Sequence, residues 1–128
     1  MRMPALRHLV LGCTLLACMH AYGDYEDGVD AAQNGDFATA LREFTLAAEE
    51  GLDLAQYNLA ILYFTGNGVE QDYDKAFMWT KEAAEQGHTN AQFNLGALYY
   101  TGTGTGVDFE EALRWYTYAA QAHHAVAQ

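Results

Sequence analysis

The second half of the sequence repeats itself every 36 residues without a gap. Identical residues recur at this spacing in the pairs Gly51/Gly87, Ala55/Ala91, Leu59/Leu95, Leu62/Leu98, Tyr63/Tyr99, Gly66/Gly102, Gly68/Gly104, Asp72/Asp108, Ala76/Ala112 and Trp79/Trp115. Residues 36–48 match the second half of the same unit. A fixed period of this size is typical of stacked repeats, because each unit buries its apolar face only against its neighbours.

Each unit is predicted to form two helices. In residues 55–64 the apolar side chains recur at helical spacing. The turn TGNGVEQ follows, and Asp72 then stands where a residue capping the N-terminus of a second helix is expected. In the next unit, Asp108 and Glu111 have the spacing of a capping box.

The glycine-rich stretch TGTGTG is predicted to be a turn and not a phosphate-binding loop. Gly102 and Gly104 repeat Gly66 and Gly68 within a helix–turn–helix unit. A phosphate loop follows a strand and carries a lysine after the glycines, and this stretch has neither. These glycines are interpreted as hinge residues.

The chain resembles the SEL1-like repeat family, which is related to the tetratricopeptide repeats. The resemblance rests on AQYNLAILYFTGNGVEQDYDKAFMWTKEAAEQG in 55–87 and AQFNLGALYYTGTGTGVDFEEALRWYTYAAQAH in 91–123. It implies an all-α solenoid of antiparallel helix pairs with right-handed superhelical stacking. The predicted divisions are a tetratricopeptide-like opening hairpin in 24–51, repeats in 52–87 and 88–123, and the start of a further, truncated repeat in 124–128.

Three positions depart from the family pattern. Ala60 replaces a glycine, and Val107 lies two places later than the usual valine of the turn. His123 stands where Gly51 and Gly87 end the earlier units. If a left-handed residue is needed there, histidine is expected to cost on the order of 1 kcal/mol.

Residues 1–23 are predicted to be a signal peptide. Basic residues at Arg2 and Arg7 precede an apolar stretch over 9–17, and small residues follow at Ala21 and Gly23. Nine apolar residues are too few to cross a membrane, which takes roughly 20. A second interpretation is a lipobox at 15–18, which makes Cys18 the lipidated residue. The third is that Cys18 is one more apolar residue of the leader.

Few catalytic side chains remain beyond the leader. Both cysteines of the chain lie at positions 13 and 18, and the chain contains no serine. Some disulfide-rich relatives are associated with penicillin binding or β-lactamase activity, but the cysteine pairs that they carry are missing here. We therefore predict no enzyme activity and no cofactor, with a hydrolase as a less favoured alternative.

The charge of the chain argues against nucleic acid and anionic lipid as partners. The chain has a net charge of −11, and residues 24–128 carry 4 − 17 = −13. Such a surface repels phosphate backbones and anionic lipids, so we expect no nucleic-acid partner and membrane contact only through a lipid on Cys18.

His88 and His124 are one repeat apart, roughly 10 Å in a helical stack, which is too far for one metal ion. No metal site is predicted.

A second apolar stripe on the first helix of each unit is predicted to face a partner. It lies opposite the side that carries Ala55 and Leu59, and a helix that is apolar on all sides is either buried or covered by a partner. The predicted partner-binding residues are Tyr57, Asn58, Ile61, Phe64, Phe93, Asn94 and Tyr100. The alternative is that curvature buries the stripe against the next repeat, with the two asparagines satisfying backbone groups in turns.

The sequence thus predicts an exported, non-catalytic scaffold that binds protein or peptide partners through the concave face of a solenoid. The expected location is the periplasm, the outer envelope or the medium. Alternatives are an envelope assembly lipoprotein anchored through Cys18 and an adaptor of the endoplasmic reticulum. Since Ala127 and Gln128 match the opening of a repeat, we also expect the chain to be a fragment of a longer array, the alternative being a short protein with a frayed end.

Overall fold

The computed structural model of the protein describes residues 14–127, so residues 1–13 of the predicted signal peptide and Gln128 lie outside the described part. The described residues form six α-helices and no strand. The helices are α1 (Thr14–Gln33), α2 (Phe37–Glu49), α3 (Asp53–Thr65), α4 (Tyr73–Glu85), α5 (Thr89–Thr101) and α6 (Phe109–Ala127). None of them is long and apolar enough to span a bilayer.

The helices stack in the order of the chain. Each helix packs mainly against the helix before it and the helix after it, which gives three successive pairs, α1–α2, α3–α4 and α5–α6. This arrangement confirms the predicted all-α solenoid of helix pairs. Because every pair contacts only its neighbours, the apolar side of one pair is covered by the next.

Three aspartates cap the second helices, at equivalent positions of the three pairs. Asp36, Asp72 and Asp108 each accept a hydrogen bond from a backbone N–H three residues later, at 3.1, 3.0 and 3.1 Å. The hydrogen bonds from the side chain and the backbone of Thr39 lower the pKa of Asp36. The predicted caps at Asp72 and Asp108 are confirmed, since each satisfies a donor that the helix itself leaves open.

The reciprocal half of the predicted capping box is absent. The Glu111 carboxylate lies 3.4 Å from the Arg114 guanidinium, and the Asp108 N–H donates to the Tyr99 carbonyl at 2.9 Å. The prediction of a full capping box was therefore wrong. The same bond from Asp72 to the Tyr63 carbonyl, also 2.9 Å, shows that the turn itself satisfies this N–H in both repeats.

The second glycine of each turn lies where one repeat touches the preceding one. Gly68 and Gly104 have φ angles of +74° and +72°. A Cβ on Gly68 would lie 2.5 Å from the Phe37 carbonyl oxygen, and one on Gly104 would lie 2.8 Å from the Tyr73 carbonyl carbon. These glycines therefore do more than turn the chain, because they let the turn lie directly on the first residue of the previous second helix.

The core between repeats is built from small residues around two leucines. Leu59 and Leu95 are completely buried, and the alanines that face them are equally inaccessible. Alanine at these positions lets neighbouring helices approach closely. The buried apolar residues form two clusters, one that runs from Ala21 to Leu62 and one that runs from Ala83 to Trp115.

The two outer helices run across boundaries that the sequence suggests. Helix α1 continues through Gly23 and Asp24, where the predicted leader meets the predicted first hairpin. Helix α6 continues through 124–127, the residues assigned to the start of a further repeat. His123 lies inside this helix, and no residue other than glycine has a positive φ among those described. The expected cost of a left-handed histidine therefore does not arise.

Candidate protein-binding site

A cleft of about 180 Å³ lies between α3, α4 and α5. Ile61 and Phe64 of α3 form its exposed edge, and Asn94 and Ala97 of α5 form the opposite wall. Thr80 of α4, which is buried, closes the bottom. The cleft is thus mostly apolar, and two repeats contribute to it.

A difference in side-chain size between the repeats accounts for the open cleft. In the last repeat, Tyr116 packs against Phe93, with ring centroids 5.3 Å apart, and covers Gly96 so closely that a Cβ there would lie 2.9 Å from its ring. One repeat earlier the equivalent pair is Ala60 and Thr80, and both line the cleft. A threonine leaves empty the space that a tyrosine ring takes, and this exchange gives a physical reason for alanine at position 60.

Asn94 is the polar group in the cleft that is free to bind a ligand. The Thr80 hydroxyl, the other polar side chain there, already donates to the Ala76 carbonyl at 2.7 Å. The half-buried Asn94 amide makes no hydrogen bond within residues 14–127. A free amide beside exposed apolar side chains can hydrogen-bond the backbone of a bound peptide while the side chains of that peptide cover Ile61 and Phe64.

An aromatic pair holds the edge of the cleft in place. The Phe64 and Tyr73 rings lie 5.3 Å apart and join the end of α3 to the start of α4 across the glycine turn. Tyr100 and Phe109 repeat this contact at the same distance one repeat later. Tilted ring pairs at this spacing stabilise the turn beyond the area that they bury.

The structure brings together three of the seven predicted partner-binding residues, namely Ile61, Phe64 and Asn94. Phe93, 58% exposed, lines a separate cleft beside Tyr116, and Tyr100, 59% exposed, lies at the far end of α5. Asn58 is half-buried and does not line the cleft. Tyr57 packs between the repeats, with its ring stacked on His88 at 4.6 Å.

His88 has a structural role that the sequence analysis did not assign. Its Nδ1 accepts the Ala91 N–H at 3.1 Å, so the imidazole caps α5, and its ring stacks on Tyr57 of the preceding repeat. The sequence did not predict this cap, because histidine is an uncommon cap residue. Within the described residues, no three His, Cys, Asp or Glu side chains converge on a point where a metal ion could bind.

The stacked helix pairs and the cleft that spans two of them define a helical-repeat scaffold. The sequence model of the Sel1 repeat matches residues 10–52, 53–88 and 89–124, which is most of the chain. The chain therefore belongs to the Sel1 repeat family. The first matched repeat overlaps the segment predicted to be a signal peptide, and the other two start within one residue of the predicted repeats.

Similar solved structures include the following two. One is a protective antigen present in uropathogenic Escherichia coli strains that displays an SLR fold, with 34% identity and a TM-score of 0.76 over 80% of this chain. The other is a Sel1 repeat protein from Oxalobacter formigenes, with 38% identity and a TM-score of 0.65 over 66% of this chain. The chain spans 23% and 34% of the lengths of these two proteins. Among curated proteins, no sequence matches it. Sel1 repeats generally mediate protein–protein interaction.

Proposed function

We propose that the chain is an exported, non-catalytic scaffold that binds a protein or peptide partner in the cleft between α3, α4 and α5. The observation that carries this proposal is the exposure of Ile61 and Phe64 beside the unpaired Asn94 amide. Apolar side chains in a concave surface with one free polar group are the usual composition of a peptide-binding site.

The charge of the chain narrows the class of partner. Residues 24–128 carry 4 − 17 = −13, so a polyanion such as nucleic acid is repelled and a neutral or basic segment is favoured. Association is then expected to slow as the salt concentration rises, because screening weakens the attraction between exposed charges.

Site-specific photocrosslinking tests the cleft directly. A photoreactive phenylalanine analogue is placed at position 61, and in a control protein it is placed at Met78, which is exposed on α4 but does not line the cleft. We expect a defined crosslinked species from position 61 in the native cell and none from position 78. Identical species from both positions, or none from position 61, would contradict the proposal.

A variant whose cleft is filled by a larger side chain is the matched control for the photocrosslinking experiment. The double substitution Ala60→Gly and Thr80→Tyr transfers the pair found at Gly96 and Tyr116 into the cleft. We expect helicity to stay at the wild-type level, because this pair already packs in the last repeat, whereas the crosslink at position 61 is lost. Retention of the crosslink would show that the partner binds elsewhere.

Export is a separate part of the proposal and has its own test. The mass of the mature protein after cell fractionation distinguishes a chain that begins at Asp24 from one that begins at a lipidated Cys18. Cys18 is exposed on α1. Globomycin sensitivity would support the lipoprotein alternative, and an intact N-terminus in the cytoplasmic fraction would refute export.

A further inference from the structure

Two buried polar atoms without a partner belong to residues that line one cleft at the other side of α5. Gln92 Oε1 and Trp115 Nε1 have no hydrogen-bond partner within the described part of the chain. Their residues are only 9% and 7% exposed. Both line a cleft of about 430 Å³ between the end of α4, the start of α5 and the middle of α6. Buried polar groups nearly always have partners, so this pair calls for an explanation.

The preceding repeat contains the same glutamine with its partner in place. Gln56 and Gln92 each donate Nε2 to an alanine carbonyl eight residues earlier, at 3.2 and 3.3 Å. This bond fixes the orientation of both amides, because a flipped amide would set two acceptors against each other. The amide oxygen of Gln56, Oε1, accepts a hydrogen bond from Gln86 Nε2 at 2.7 Å.

The last repeat lacks the residue that supplies this donor. The position equivalent to Gln86, at 86 + 36, is occupied by Ala122. The backbone is comparable, since Gln86 has φ −83° and ψ −3° and Ala122 lies within helix α6. In the last repeat Gln92 Oε1 therefore lacks this donor, and Gln92 and Trp115 both line the cleft.

We propose that this cleft binds the side-chain carboxamide of a peptide glutamine or asparagine. The N–H of the ligand donates to Gln92 Oε1, and its carbonyl accepts from Trp115 Nε1. A primary carboxamide carries both groups on one short side chain, as Gln86 does in the preceding repeat. A carboxylate carries no donor for Gln92 Oε1. Glu85 at the edge of the cleft repels it, and Arg114, which also lines the cleft, is already paired with Glu111 at 3.4 Å.

The site is independent of the cleft proposed to bind the partner. Gln92 and Asn94 are two residues apart on one helix, which places their side chains about 200° apart around α5. Loss of carboxamide binding would therefore leave the crosslink at position 61 unchanged, and the reverse also holds.

Chemical-shift titration of the ¹⁵N-labelled full chain tests the proposal. The chain has two tryptophans, and Trp115→Phe assigns their two indole N–H signals. The probes are propionamide, its isosteric acid propionate, and N-methylacetamide as a mimic of a backbone amide. We expect propionamide at millimolar concentration to shift the Trp115 signal saturably and to leave the Trp79 signal in place.

The Ala122→Gln variant provides the control, because it supplies from within the chain the carboxamide that the ligand would supply. We expect it to weaken the apparent affinity for propionamide by roughly tenfold or more, the ratio for one lost hydrogen bond. An absent response, an equal response to propionate, a response to N-methylacetamide alone, or the same affinity in Ala122→Gln would each overturn the proposal.

Discussion

Replacing Gln86 with alanine is expected to destabilise the protein because it leaves the buried oxygen of Gln56 without its hydrogen-bond donor. Gln86 is itself exposed, so its removal forfeits little packing. Its Nε2, however, is the donor to Gln56 Oε1, and Gln56 is 4% exposed. The substitution thus leaves a buried acceptor unpaired, which costs about 1–3 kcal/mol. It creates in the middle repeat the arrangement that Gln92 has in the last one.

The assay is thermal and urea unfolding followed by far-ultraviolet circular dichroism. For a domain of this size, 1 kcal/mol shifts the Tm by roughly 4 °C. Gln121→Ala, at an exposed glutamine of α6, is the control and is expected to change the Tm little. In a Gln56→Ala background, Gln86→Ala is expected to be nearly neutral, because the acceptor has gone. If Gln86→Ala is as mild as Gln121→Ala in the wild-type background, the reasoning is refuted.

Three further perturbations test individual contacts within and between the repeats. Gly96→Ala is expected to lower the free energy of unfolding by roughly 1–3 kcal/mol through overlap with Tyr116, and adding Tyr116→Thr is expected to recover most of it in urea titrations. Gly68→Ala is expected to lower the Tm more than Gly35→Ala, because both glycines have positive φ but only Gly68 also lies against neighbouring backbone. The stabilisation from the Asp36 cap is expected to be complete above the ordinary pKa of an aspartate and to fall away as the pH drops through its lowered value, so the Tm difference from Asp36→Ala shrinks in acid.

The partner stripe shows where sequence reasoning reached its limit. A helical wheel places Tyr57, Ile61 and Phe64 on one side of α3, and this placement follows from the helix period alone. Whether each is exposed depends on which neighbouring helix passes over it. Tyr57 lies under His88 of the next repeat, while the two other side chains border an open cleft. A pattern within one helix carries no information about that neighbour.

The cleft beside Gln92 and Trp115 could not be predicted from the sequence for the same reason. The glutamines at 56 and 92 look alike in the sequence, but residue 122 is alanine where residue 86 is glutamine, so only Gln56 has a donor for its Oε1. The two residues of the Gln56–Gln86 hydrogen bond are 30 positions apart. Only the stacking of one pair on the next brings them together.

The sequence by itself determined the helix pairs, the aspartate caps and the glycine turns, because these depend on backbone preferences and hydrogen bonds within a few residues. The tertiary structure alone decided which side chains meet between repeats: the turn glycine on Phe37, the tyrosine under His88, and the glutamine left without a donor. Such contacts depend on the distance and angle between helices, which side chains from both partners set together.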